Sequence, residues 1–349
     1  MSRARQFLVL AAGLALFGGV VYLAYMSRPQ RPPQPERVTG LAWLPAEAGL
    51  VGGVDLAGLR QQGWLLDDLR RATGDVKEAP DYRAFVEATG FDYSRDLDHL
   101  WVGVFGTSQQ PLLTGVAEGR FVRPRILDYA RKQGARLRRY QGIDIYEVPP
   151  GRPSPRRRSS GTPETGSPER GFAFAFLDDT HVAFASDAAR VAMIVDCWLG
   201  KAPAVSSDES RQAELERLAA GQQVWAVDEP AKWKPPFLGD SPSGQPFEAI
   251  VAQVALGLRV NEQGVELVGE ARCRQPGQAE RLRDNLSVLT LLGRVTLSRQ
   301  QNQGAQALAE TIGNLSFTQQ GDTVAARVQV PREQIATLLG VPLAATTAP

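Results

Sequence analysis

The sequence predicts an α+β chain: an N-terminal transmembrane helix, then a duplicated domain of antiparallel sheet and covering helices, ferredoxin-like or a related sandwich. Three observations predict it. Residues 7–25, FLVLAAGLALFGGVVYLAY, run for nineteen positions without a charge. Further on, short apolar strands come in hairpin pairs and alternate with helical stretches. The same punctuation then occurs twice, as G-x-A-x-x-R at Gly115, Ala117 and Arg120 before Pro124, and at Gly269, Ala271 and Arg274 before Pro276.

Taken in order, residues 1–27 read as a short tail and an anchor. As a helix the apolar run is about 28 Å long, close to the hydrocarbon thickness of a bilayer. A cleaved signal needs small residues before the cut, and Phe17 or Tyr22 stands at the third position before the candidate sites, so the anchor is expected to stay. Cys197 and Cys273 are too far along the chain to carry an N-terminal lipid. Arg3 and Arg5 face Arg28 and Arg31 across the run, a near balance. The short tail and the spacer favour a single-pass protein with its N-terminus cytoplasmic and its domain extracytoplasmic, in the periplasm. Residues 28–40 form a linker whose RPQRPPQPER stretch is a stiff polyproline-like rod of roughly 30 Å.

The first α+β repeat is expected over 41–205. The strand in AGLVGGVDLAGL ends at Asp55, which can cap a helix carrying Leu59, Leu65, Leu66 and Leu69. DYRAFVEATG is a helix stopped by Gly90. LWVGVFG and PLLTGVAEGRF make a hairpin, and Pro124 opens a helix that ends at Gly134. Four strands follow, interrupted at 150–171 by a Pro-, Ser-, Gly- and Arg-rich insertion expected to be disordered and solvated. With a two-residue turn at Asp178 and Asp179, Phe174 and Phe172 would lie opposite Ala183 and Ala185. The second repeat, 206–340, has a strand at 224–227, a hairpin around 261–264, and a long helix with Leu282, Leu286, Leu289 and Leu292. Another hairpin and a helix opened by Pro331 complete it, and 341–349 is a tail. The strand at 224–227 is expected to complete the first unit and the strand at 50–54 to close the second.

Composition excludes several functions. A net charge of +1 on 349 residues gives no field to attract nucleic acid, and none is expected as a partner. Two histidines without C-x-x-C or H-E-x-x-H spacing give no metal site. Phosphate-cradling loops and nucleophile elbows are not written here, so no cofactor and no catalytic residue is assigned. The densest polar cluster is Asp96, Asp98 and His99, which reads more simply as a capped turn before a strand. A proline-rich loop over 229–247 carries Trp233, Phe237 and Phe247; it either docks a partner or folds back to plug the seam between the halves. The two cysteines are either one disulfide or two buried thiols.

With LPAEAGLVGGVDLAGL after its anchor and VPREQIATLLG near its end, the chain resembles bacterial single-pass membrane-anchored proteins of the domain-of-unknown-function type. The resemblance implies location and architecture and no activity. The expected function is a membrane-tethered, non-enzymatic interaction or assembly protein with a protein partner and the bilayer around its anchor. The alternatives are a carrier or sensor of an apolar ligand such as a lipid, then an enzyme.

Overall fold

The structure, a computed structural model, describes residues 39–73, 80–107, 110–149, 171–233, 246–300 and 302–340. The expected anchor, the proline rod, residues 150–170 of the insertion, Phe237 and the tail lie outside them. Among the described residues no helix is long and apolar enough to cross a membrane.

A 3₁₀ turn, Thr39–Trp43, leads into β1 (Leu50–Asp55). Asp55 caps α1 (Leu56–Gln61) by accepting from the Gly58 amide at 2.7 Å. The helix breaks at Gln62 and resumes as α2 (Gly63–Thr73), followed by α3 (Pro80–Thr89) and α4 (Tyr93–Asp96). The expected hairpin is β2 (Leu97–Thr107) with β3 (Gln110–Gly119), and α5 spans Arg123–Lys132. Then come β4 (Arg136–Tyr140), β5 (Ile143–Val148), β6 (Phe172–Phe176), β7 (His181–Ala185), α6 (Ala188–Trp198) and α7 (Glu209–Gly221). The later half holds β8 (Val224–Asp228), α8 (Phe247–Ile250), β9 (Val251–Asn261), β10 (Gly264–Cys273), α9 (Pro276–Ser298) and α10 (Gln303–Gly313). It closes with β11 (Ser316–Gln320), β12 (Thr323–Pro331) and α11 (Arg332–Leu339).

Among the described residues twelve strands join one antiparallel sheet, in the order β11-β12-β10-β9-β8-β1-β2-β3-β7-β6-β5-β4. This is not the arrangement of two separate ferredoxin-like sheets. β1 does reach the later half, by pairing with β8 from Leu50↔Asp228 to Val54↔Val224. β8, expected to complete the earlier unit, meets it through that same ladder with β1 and not through the strands after Leu112; its other neighbour is β9. β1 and β8 thus satisfy one another's backbone groups in the middle of the sheet.

Side-chain size shapes this seam. The indole of Trp225, buried at 3% exposure, lies where a Cβ on Gly53 would come within 2.6 Å of its ring. Gly53, the second glycine of LVGGVD, thus leaves room for a tryptophan from the later half. At one end of the seam Asp55 donates its amide to Gln223 at 2.7 Å. At the other, Arg211 of α7 donates to the carbonyls of Ala46 and Ala48 at 3.1 and 2.9 Å and pairs with Glu229 at 3.1 Å. One guanidinium thereby ties the entry of β1 to the exit of β8.

Both faces of the sheet are covered along much of its length. On one, Val51, Trp101, Val116, Trp225 and Val227 pack under α6 and α7. On the other, Val54, Leu100, Val224, Val260 and Val328 meet Leu56, Leu59, Leu65 and Ile335 of α1, α2 and α11. The β6–β7 register differs from expectation by one residue: Phe174 faces Phe184, and Ala175 faces Ala183. The cause is a three-residue loop, because Asp178 Oδ1 accepts from the amides of Thr180 and His181, both at 2.8 Å. The alanines still make a thin face, and α6 fills it with Val191, Ile194 and Val195.

Gly53→Val should therefore overpack the seam and destabilise the chain by about 1–3 kcal/mol, read as a lower denaturant midpoint. Gly277→Ala, with open space around it, should leave the midpoint nearly unchanged.

Candidate functional site

Strand alternation divides the expected polar cluster. Asp98 points to one face, where it pairs with Arg60 and, at 3.0 Å, with Arg120. Asp96 closes the α4 turn, accepting from the Asp92 amide at 2.9 Å and pairing with Arg95 at 2.7 Å. His99 faces the other way. Its Nε2 lies 3.4 Å from Asp55 Oδ1 and its Nδ1 3.2 Å from Glu118 Oε2. Glu118 is in register with His99 on β2 and with His181 on β7, so histidines distant in sequence flank one carboxylate.

Burial lowers the affinity of His99 for its proton, but Glu118 and the charges of Asp55 and Asp98 more than offset this, leaving its pKa above the ordinary value. The contact with His99 holds Glu118 below the usual range. His181 Nδ1 lies 2.9 Å from Asp178 Oδ2, while Trp43 meets its ring edge-on at 4.8 Å and Trp101 stacks on His99 at 5.5 Å. The row is a set of imidazoles and carboxylates set against one another and braced by indoles. Its chemistry is to tie β1, β2, β3 and β7 together, more firmly when His99 is protonated. Among the described residues, no group of three or more His, Cys, Asp or Glu side chains could hold a metal.

The two cysteines are free and buried, and burial pushes the Cys197 thiol up to about 11, away from nucleophilic use. Trp233 is 8% exposed, and its main chain and Cβ lie so close to Gly49 that a Cβ there would meet them. It sits at the seam, where the Glu229 amide donates to Gly49 at 2.9 Å. Phe247, half-buried, packs under the start of α9. Asp228, 7% exposed, has neither carboxylate oxygen hydrogen-bonded.

The surface that stands out is on α9. Pro276 opens this helix of about 34 Å, and its inner side packs in two places. Ala279, Leu282 and Leu286 meet Val251, Cys273 and Val324, while Leu297 meets Ala305, Leu308, Ala309 and Ile312 of α10. The sequence places Leu289 and Leu292 in the same stripe as Leu282 and Leu286. In the structure they are 54% and 58% exposed, with Val288 at 56%, Leu291 at 60% and Val295 at 44%. Val288, Leu291, Leu292 and Val295 follow i, i+3, i+4, i+7 and form a second stripe on the outer side. Covering five half-exposed aliphatic side chains would gain about 1 kcal/mol each. The sequence signal for it was the overlap of two apolar stripes in SVLTLLGRVTLS.

No family model matches the chain, and no curated protein matches it. Among solved structures, three crystal forms of TP0453 align with it at TM-scores of 0.44, 0.47 and 0.45 and 11% identity. The alignments cover 86% of this chain and 96–97% of those chains.

Asp228 gives a pH prediction. Burial first, and the charge of Glu229 second, push its carboxyl up to about 7. The folded chain thus favours the protonated form. Its contribution is fully present below the ordinary carboxylate value, declines as pH rises from about 4, and is lost above about 7. Asp228→Asn should remove a stability loss of about 4 kcal/mol across that window, measured as denaturant midpoint against pH. A variant that keeps the slope would show that Asp228 is not its source.

Proposed function

We propose that this chain is a membrane-tethered interaction or assembly protein without catalytic activity. Residues 7–25 anchor it, residues 28–40 act as a stiff spacer, and the domain stands outside the cytoplasm. The observation that carries the reading is on α9, where four aliphatic side chains on the outer face are between 44% and 60% exposed, with Leu289 beside them at 54%. Contiguous apolar surface of this kind marks an interaction site, whereas singly scattered apolar residues do not. The spacer supports the same reading, because a roughly 30 Å rod gives the domain reach.

Two-copy architecture is part of the proposal. β1-β2-β3-β7-β6 and β8-β9-β10-β12-β11 run outward from the seam in corresponding order, with β4 and β5 added to the first copy. The polar row around His99 supports a bracing role, since its carboxylates already face partners. A carrier of apolar ligands has less support, because the alanine face that would make room for one is packed by α6.

Trp233 is unsuited to docking in its observed place. Trp233→Ala should destabilise the fold by about 3–5 kcal/mol, a measurement on the purified domain. Leu291→Asp with Leu292→Asp should behave in the opposite way: an unchanged melting temperature and at least a tenfold loss of partner recovered by cross-linking in membranes. Unchanged recovery from this double variant would defeat the reading.

A further inference from the structure

The outer stripe of α9 has a sequence of its own. From the N-terminal end it reads Asp284, Val288, Leu291, Leu292, Val295, Arg299, at helical spacing on one face. The apolar centre is bounded by an acid on one side and a base on the other. Turned end for end, such a stripe is complementary to itself. Val288 comes opposite Val295, Leu291 opposite Leu292, and Asp284 opposite Arg299, each twice.

We propose that α9 pairs with α9 of a second copy of this chain, antiparallel, about a two-fold axis passing between Leu291 and Leu292. The inference rests on the reading of α9 as the interaction surface and names the occupant.

Charge placement supports a second copy over an unrelated protein. Asp284 is 61% exposed at its side chain, and Arg283 donates both of its hydrogen bonds to the same oxygen, Oδ1, at 3.0 and 2.7 Å. Oδ2 is left for a cation from across the interface. Arg299, at the C-cap of α9, is exposed and stands at the matching distance beyond the apolar centre. A parallel pairing would set Asp284 against Asp284 and Arg299 against Arg299, and like charges facing one another would oppose it.

Side-chain type points the same way. The stripe holds only leucine and valine, with no exposed Trp or Tyr to anchor in a foreign pocket, and helix-on-helix packing is what interdigitating aliphatic residues at this spacing do. Isologous pairing of one patch with itself also closes at two copies and does not propagate. A two-turn stripe is smaller than the roughly 800 Å² per partner of a stable soluble dimer. Anchoring both copies in one membrane compensates, since confinement raises their effective concentration without any new contact.

The test uses the full chain in its membrane, where both native cysteines are buried and leave a low background. Val288→Cys and Val295→Cys are placed in two differently tagged copies, expressed together and oxidised. The proposal expects the mixed Val288→Cys to Val295→Cys disulfide at least tenfold above either like-with-like product, abolished when both copies also carry Leu291→Arg. Equal yields for all pairings, or a dominant like-with-like product, would overturn the antiparallel register and with it the proposal. If no disulfide forms, maleimide labelling of Val288→Cys separates two failures. Slow labelling in membranes that becomes fast in detergent means another molecule covers α9, which overturns self-pairing and leaves the interaction reading standing. Fast labelling in both overturns both. Unchanged melting temperatures of the cysteine variants, expected at positions about half exposed, show that the fold is intact.

Discussion

The β1–β8 ladder is the interaction on which the remaining architecture depends. Without it the chain would present two exposed strand edges in the middle of what is now one sheet. With it, ten other strands fall into place on either side, and helices from both halves cover common faces. Its geometry is demanding. Gly53 must lack a side chain so that Trp225 can lie flat over the strand, Gly49 must admit Trp233, and Arg211 must reach across to Ala46, Ala48 and Glu229. Against that network, Asp228 is a local liability, a buried carboxyl with no hydrogen-bond partner at the same ladder.

Much of the strand content was legible in the sequence because hairpins announce themselves. Asn261 to Gly264 and the strands beside Gly321 alternate on either side of turn residues, and the helices opened by Asp55, Pro124 and Pro331 carry their start signals. Helices α7 and α10 were missed for a physical reason. α7 buries only a narrow stripe including Leu215 and Leu218, and α10 packs through Ala305, Ala307 and Ala309, which look neutral in an apolar count. Their N-caps, Asp208 and Asn302, were the readable signals. The seam was not legible, since each edge strand fits many partners and only the three-dimensional fit of Trp225 over Gly53 selects one.

The candidate sites fared according to how much register they required. His99 was singled out with Asp96 and Asp98 because they are neighbours in sequence, yet strand alternation sends it to the opposite face. Its companions, Glu118 and His181, come from two other strands and are visible only once three registers are known. The polar row that results is self-paired and lies between strands it helps to hold. Trp233 turned inward because a glycine waits for it. On α9, by contrast, the aliphatic residues outnumber the inner positions available to them, and the excess has nowhere to go but out.

The proposed role of α9 makes one demand above others: its outer face must be covered where the protein acts. Hydroxyl-radical footprinting read by mass spectrometry measures this directly at each side chain. The account predicts that oxidation of Leu289, Leu291 and Leu292 falls severalfold in native membranes relative to the detergent-purified chain, while Leu137 at the far edge of the sheet, 61% exposed, is oxidised equally in both. Equal oxidation of the α9 leucines in membranes and detergent would contradict it.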